Sequence, residues 1–171
     1  STSRRKETMR HSLRLAAAAL LAALPLVAFA EPPAPSPETL PIYDSTSVGA
    51  LAIEAASKAA ADSGRRLFVN FGTNDCAPCR VVNDAIYEEP FFTAFLVQFI
   101  PVFVDVAPGT SGRDLLARYG IDAGKGFPAL VLSDEMLRVA ETTKEGEMSA
   151  LGAKGKEAVR EWILKRFRKT D

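Results

Sequence analysis

Histidine is all but missing from this chain: His11, close to the N-terminus, is the only one in 171 residues. Cysteine occurs twice, as Cys76 and Cys79, and neither sign of charge predominates, with 21 basic residues against 21 acidic ones. Nor is there an unbroken apolar run of the ~20 residues that a membrane-spanning helix needs. The longest candidate, Leu15 to Phe29, is interrupted by Pro25. Each shortage excludes a chemistry. A domain without histidine and with only two cysteines lacks the ligands of zinc enzymes and blue copper sites, and it lacks the base of Ser-His or Cys-His catalysis. Thiol chemistry survives the exclusions.

The N-terminal segment says where that chemistry is expected. Arg10 and Arg14 precede the Ala- and Leu-rich run, which closes on Ala28-Phe29-Ala30 before Glu31-Pro32-Pro33. A basic segment, a short apolar core and a small-x-small site describe a secretory signal peptide over residues 1–30, cut after Ala30; the alternative is an anchor that stays uncleaved. Cleavage removes His11 together with Arg4, Arg5, Lys6, Arg10, Arg14 and Glu7, leaving 16 basic against 20 acidic residues and a net charge of about −4. An exported, mildly acidic domain of periplasmic location is expected, a poor fit to nucleic acid and with no membrane contact after cleavage. Residues 31–46, with Pro32, Pro33, Pro35, Pro37 and Pro41, read as an extended linker. Residues 47–171 are then one domain with one core.

The centre of that domain is Arg66 to Arg80, reading Arg-Leu-Phe-Val-Asn-Phe-Gly-Thr-Asn-Asp-Cys-Ala-Pro-Cys-Arg. Leu67 to Phe71 has strand character, and the polar turn after it delivers Cys76 and Cys79 to the first turn of a helix. Residues three apart at a helix start lie on one face, with alpha carbons about 5 Å apart, within the range a disulfide tolerates. The pair can open and close with little backbone movement. Cys76 also meets the unpaired N–H groups and the positive end of the helix dipole, which favour thiolate. It is the candidate nucleophile and Cys79 the resolving thiol. Two alternatives remain: a purely structural disulfide, and a metal half-site shared between chains.

Elsewhere the pattern alternates helix and strand. Ser45 or Ser47 caps a helix running to Ser63 and ended by Gly64. Val81, Val82, Ala85 and Ile86 form the inward face of the helix after the cysteines, until Pro90 breaks it. Phe91, Phe92, Phe95 and Leu96, at helical spacing, are expected in the core. Phe99 to Val106 reads as a strand near a sheet edge, because Pro101 cannot donate to a ladder. Asp114 to Tyr119 predicts a short helix closed by Gly120, and Phe127 to Leu132 pairs as a hairpin with Met136 to Glu141. Thr142 to Gly155 reads as a loop. Lys156 to Arg168 predicts a final helix burying Val159, Trp162, Ile163 and Phe167, its Lys165, Arg166, Arg168 and Lys169 forming a solvated basic end. The order is that of an α/β domain with a small mixed sheet covered on both faces.

Val69-Asn70-Phe71, then Cys76-Ala77-Pro78-Cys79-Arg80, and about fifty residues later Gly126-Phe127-Pro128 at the start of a strand, together resemble the thioredoxin family. The likeness covers residues 47–168 and is closer to the exported thioredoxin-like proteins, which share Phe-Gly before the cysteines and Arg-Tyr-Gly-Ile before the proline loop. It implies a thioredoxin-like fold and a cis Pro128 lying against the cysteine pair. Phe127 would offer its backbone to a bound peptide, and Ala77 and Pro78 would line the same substrate site. Three positions depart from the family pattern. Asn70 stands where a buried Asp is usual and Pro101 where a Lys is usual, so a proton relay through that pair cannot operate in the same form. Asn70 can hydrogen-bond but not take a proton at neutral pH; whether it serves the site or only satisfies nearby backbone is open. Asp75 replaces a usual Trp beside Cys76 and opposes thiolate formation, while Arg80 favours it.

The functional expectation is a thiol-disulfide oxidoreductase needing no metal and no organic cofactor, acting on protein disulfides or dithiols with a redox partner protein, with a monomer the simpler expectation. Two rivals stand beside it. One is a non-catalytic binding module in which the disulfide staples a helix start. The other is a reductant for copper- or haem-protein assembly.

Overall fold

The computed structural model describes residues 40–134 and 136–167. The expected signal over 1–30, the linker as far as residue 39, and Arg168 and Lys169 lie outside the described residues. In chain order the elements are helix α1 (Gly49–Ser63), strand β1 (Arg66–Gly72), helices α2 (Ala77–Tyr87) and α3 (Phe91–Gln98), strand β2 (Phe99–Asp105), 3₁₀ turns at Arg113–Tyr119 and Ala123–Lys125, strands β3 (Ala129–Ser133) and β4 (Val139–Thr142), and helices α4 (Glu147–Ala153) and α5 (Lys156–Phe167).

The strands lie in the order β2-β1-β3-β4. β1 runs parallel to β2 and antiparallel to β3, which pairs antiparallel with β4. The sheet is therefore mixed, as expected. Pro101 sits on β2, at the edge of the sheet, opposite Phe68. A proline is tolerated there because its missing donor can face away from the ladder.

The period-2 alternation of β1 divides the core. Phe68 joins Val82, Ile86, Phe95, Phe99, Leu130, Met148, Trp162 and Ile163 on one face, while Leu67, Val69 and Phe71 join Ala60, Val102, Val104, Leu115 and Val131 on the other. Helices α2 to α5 cover the first face, and α1 with the Arg113–Tyr119 turn covers the second. The phenylalanine stripe of α3 is core: Phe95 is fully buried, edge-on to Phe68 at 5.0 Å and stacked on Phe99 at 5.3 Å between ring centres. α1 ends at Gly64, whose φ of 66° lets its N–H reach the Ala60 carbonyl.

Six local expectations are corrected. The N-cap of α1 is Val48, with no side-chain cap bond, rather than Ser45 or Ser47. Arg166 is not part of a solvated end but pairs with Glu141 and lies over the Trp162 ring. Arg113–Tyr119 is 3₁₀ rather than α, although Gly120 does close it. β3 begins at Ala129, after the cis Phe127-Pro128 peptide, rather than at Phe127. β4 spans Val139–Thr142 instead of Met136 to Glu141, since Asp134 draws the turn inward by accepting the N–H groups of Met136 and Arg138 at 2.9 Å each. Thr142 to Gly155 is not all loop: it contains α4, which begins after Gly146 at φ 71° and buries Met148. Glu147 anchors it, accepting the Lys144 N–H at 3.0 Å and the Trp162 indole N–H at 2.6 Å. Seven residues are too few turns for a periodic signal.

Arg160 ties α5 to the break between α2 and α3. Its Nε donates to the Ala85 carbonyl at 2.9 Å, its guanidinium pairs with Glu88 and Glu157, and it lies 5.7 Å from the Phe91 ring centre. Losing a charge-assisted bond to a helix-end carbonyl costs about 1.5–3 kcal/mol, and exposed ion pairs add little. Arg160→Ala is therefore expected to lower the unfolding free energy by that amount, seen as a lower urea midpoint with the denaturant slope unchanged, and the loss should persist at high salt.

Candidate functional site

Every residue of β1 is buried, so the strand is a rigid platform. Its even positions, Phe68, Asn70 and Gly72, share the α2 face by alternation. After Gly72 the turn Thr73 to Asp75 reverses the chain, with the Cys76 N–H bonded to the Thr73 carbonyl at 3.3 Å. Cys76 is then the N-cap of α2, with Pro78 in the first turn, where its missing N–H costs no bond.

Cys76 and Cys79 are joined, S–S 2.06 Å and Cα to Cα 5.2 Å. The two sulfurs are not equivalent. Cys76 is half-buried, whereas Cys79 has no exposed surface. The Cys79 N–H donates to Cys76 Sγ at 3.1 Å, a bond that strengthens when that sulfur is negative. The carbonyl oxygen of Phe127 lies 3.4 Å from the same sulfur. The Phe127-Pro128 bond is cis, with Pro128 buried and Phe127 half-buried, so the proline loop stands against the cysteine pair. Ala77 is exposed and Pro78 half-buried, and a Cβ added at Gly152 on α4 would meet Pro78 at 3.5 Å.

Asp75 and Arg80 flank the pair. The Asp75 carboxyl is held below the usual range by the Thr73 hydroxyl and by its own backbone N–H. It is thus an exposed anion at neutral pH. Arg80 donates to the Asn74 carbonyl at 3.2 Å. Removing the anion beside Cys76 by Asp75→Asn should lower the Cys76 thiol pKa by roughly half a unit at low salt, and the difference should vanish near 1 M salt, as for any exposed charge. Thiolate absorbance against pH measures it.

Asn70 is fully buried beneath the pair. Its Oδ1 accepts the hydroxyl of Tyr43 at 3.0 Å, so it is bonded to a side chain rather than to neighbouring backbone, while its Nδ2 has no partner. Its neighbour across the sheet is Phe103, which Tyr43 meets edge-on at 6.0 Å. Tyr43 is a residue that sequence reasoning missed. It falls in the stretch read as linker, yet it is 1% exposed and is held there by Asn74, whose Oδ1 accepts the N–H groups of Ile42 and Tyr43 at 2.8 and 3.0 Å. One signal was available: Tyr43 is the only aromatic residue between Phe29 and Phe68. Among the described residues no group of His, Cys, Asp and Glu is arranged to hold a metal ion.

A disulfide at the start of the helix that follows an inner strand of a four-stranded mixed sheet, faced by a cis-proline loop, defines a thioredoxin-like fold. A family described as thioredoxin-like matches residues 49–134, and the chain belongs to that family. Among solved structures, a disulphide isomerase from Xylella fastidiosa Temecula1 superposes with a TM-score of 0.70 at 22% identity, covering 76% of this chain and 99% of that one. A thioredoxin from Thermus thermophilus gives 0.50 at 19% identity, covering 68% of this chain and 81% of that one. No curated protein matches the chain in sequence.

Proposed function

We propose that the protein is an exported, periplasmic thiol-disulfide oxidoreductase in which Cys76 is the attacking thiolate and Cys79 the resolving thiol. The observation that carries this reading is the asymmetry of the pair. A reachable sulfur receives a backbone N–H at a helix start, and its partner three residues on is sealed from solvent. The Cys76 thiolate attacks a substrate disulfide, one substrate sulfur leaves as thiolate, and Cys79 then displaces the other from the mixed disulfide, closing the Cys76–Cys79 bond. The substrate gains the two electrons that the dithiol loses, and the reverse sequence donates a disulfide. The reaction uses no metal or organic cofactor. Protein chains are the substrate class, with the Phe127 backbone and the Ala77-Pro78 turn bordering the attacked sulfur. Membership of the thioredoxin-like family, and the likeness to a protein described as a disulphide isomerase, support the same chemistry.

The deciding measurement is the reduction potential of the pair, by equilibration with glutathione or dithiothreitol and counting of alkylated thiols. A value between about −120 and −270 mV is expected, the oxidising end marking a disulfide donor and the reducing end a reductase. A value below about −300 mV would instead mark a stable staple in a binding module. Cell fractionation, with N-terminal sequencing of the mature chain, tests the export.

A further inference from the structure

Three observations meet beneath the disulfide. A Cβ added to Gly72 would stand 2.2 Å from the Tyr43 hydroxyl oxygen and 2.9 Å from Cys79 Sγ, so the phenol and the buried sulfur converge on one point. The phenol donates to Asn70 Oδ1 at 3.0 Å. The Asn70 amide nitrogen, without exposed surface, has no acceptor, and an orphaned buried donor of this kind is rare enough to need a reason. We propose that the Tyr43 hydroxyl and the Asn70 carboxamide form an uncharged hydrogen-bonding pocket that receives the Cys79 sulfur when the disulfide opens, making Tyr43 a positioning residue for the resolving step. The proposal rests on the oxidoreductase reading of the site.

A partner thiolate attacks Cys76 Sγ, a new S–S bond forms there, the Cys76–Cys79 bond breaks, and Cys79 leaves with the electron pair as a thiolate. Having no contact with solvent, that anion needs donors at once. The Asn70 N–H, unpartnered in the oxidised protein, and the Tyr43 O–H, once it turns from Asn70 Oδ1 to the sulfur, supply them, and the thiolate takes a proton from the medium as the site opens. In the opposite direction the same bonds keep Cys79 ionised and aimed at Cys76 Sγ while the substrate thiolate departs.

Neither donor titrates in the working range. Asn70 carries no acidic proton, and burial, followed by the negative charge of Asp105, pushes the Tyr43 phenol above its ordinary value. The charged and titratable groups around the pocket are few. Asp105 on β2, opposite Gly72 and 6% exposed, accepts the Ala107 N–H at 2.8 Å; Cys76 and Arg80 stand on the α2 side and Asp75 on the turn. The pH profile of the resolving step should therefore follow Cys79 itself rather than a buried acid.

The test uses the reduced full-length protein and an aromatic disulfide with a coloured leaving thiolate, in stopped flow from pH 5 to 10. Attack by Cys76 releases the first coloured thiolate, and closure by Cys79 releases the second. A hydrogen bond to an ionised sulfur shifts its pKa by about one unit or more. In Tyr43→Phe the apparent pKa of the second release should rise by that much. Its rate at neutral pH should fall roughly threefold, because the loss of thiolate outweighs the greater nucleophilicity of a more basic sulfur. The first release should be unchanged. Fluorotyrosine at position 43, which keeps the ring and strengthens the donor, should lower the same pKa, giving a readout that does not depend on how well Tyr43→Phe folds. A lowered melting temperature with the second-release pKa unmoved in both proteins would overturn the proposal and leave Tyr43 a packing residue. Absence of the second release from the unsubstituted protein would overturn the oxidoreductase reading instead.

Discussion

Replacing Cys76 by serine is expected to reduce disulfide exchange to background, a loss on the order of 10³ or more, whereas Cys79→Ser should accumulate a covalent adduct with the substrate. The reasoning starts from reach. Cys79 has no exposed surface, so a substrate disulfide can meet only Cys76, and the Cys79 N–H at 3.1 Å gives that sulfur a donor when it is ionised. Serine at 76 keeps the cap but offers a hydroxyl that is not ionised at neutral pH. Serine at 79 keeps the attack and removes the sulfur that would expel the substrate, so the mixed disulfide persists. Non-reducing electrophoresis and mass spectrometry distinguish the two variants. Unfolding is not a rival explanation, since a disulfide closing so short a loop restrains the unfolded chain by only about 2 kcal/mol. Adduct on Cys76→Ser, with none on Cys79→Ser, would reverse the roles.

That prediction could be written from the chain alone because its parts are local. Leu67 to Phe71 is a short apolar run of strand character, the cysteine spacing matches a helix start, and Gly126-Phe127-Pro128 stands at the mouth of a strand. Sequence distance hides the rest. Tyr43 reaches Asn70 across 27 residues and Asn74 across 31, through a few side-chain bonds that leave no periodic trace. The prolines of residues 31–46 outweigh one aromatic ring and give the stretch the look of a linker, and the ring has a buried place waiting only because β1 offers a glycine and an asparagine. Helix α4 is hidden for a similar reason. It is held by Glu147 bonded to Trp162 on α5, a contact that neither helix's own pattern announces. The two gaps fall on the two ends of the site, since Gly152 of α4 lies against Pro78 while Tyr43 lies beneath Cys79.

Gly72→Ala joins these observations and is expected to destabilise the oxidised protein by about 2–3 kcal/mol. Two effects oppose each other. A strand glycine exchanged for alanine gains roughly 0.5–1 kcal/mol, since the unfolded chain has less freedom to lose. Against this, the new methyl would stand 2.2 Å from the Tyr43 oxygen, 2.5 Å from its ring carbon and 2.9 Å from Cys79 Sγ, well inside contact. The sulfur is held by the disulfide and β1 by neighbours on both sides, so Tyr43 is what yields. Displacing it exposes a ring now 1% exposed, worth about 1.5–3 kcal/mol, and leaves the Asn70 carboxamide with no partner at either end. The steric and burial losses outweigh the glycine gain. A double-mutant cycle identifies the cause: in a Tyr43→Ala background, itself less stable, Gly72→Ala should cost clearly less, only the 2.9 Å approach to Cys79 Sγ remaining, giving a coupling of about 1–2 kcal/mol between the two sites. Urea midpoints of the four oxidised proteins supply the numbers. If the two losses simply added, Gly72 would be clashing with something other than Tyr43, and the N-terminal segment would have no hold on the redox pair.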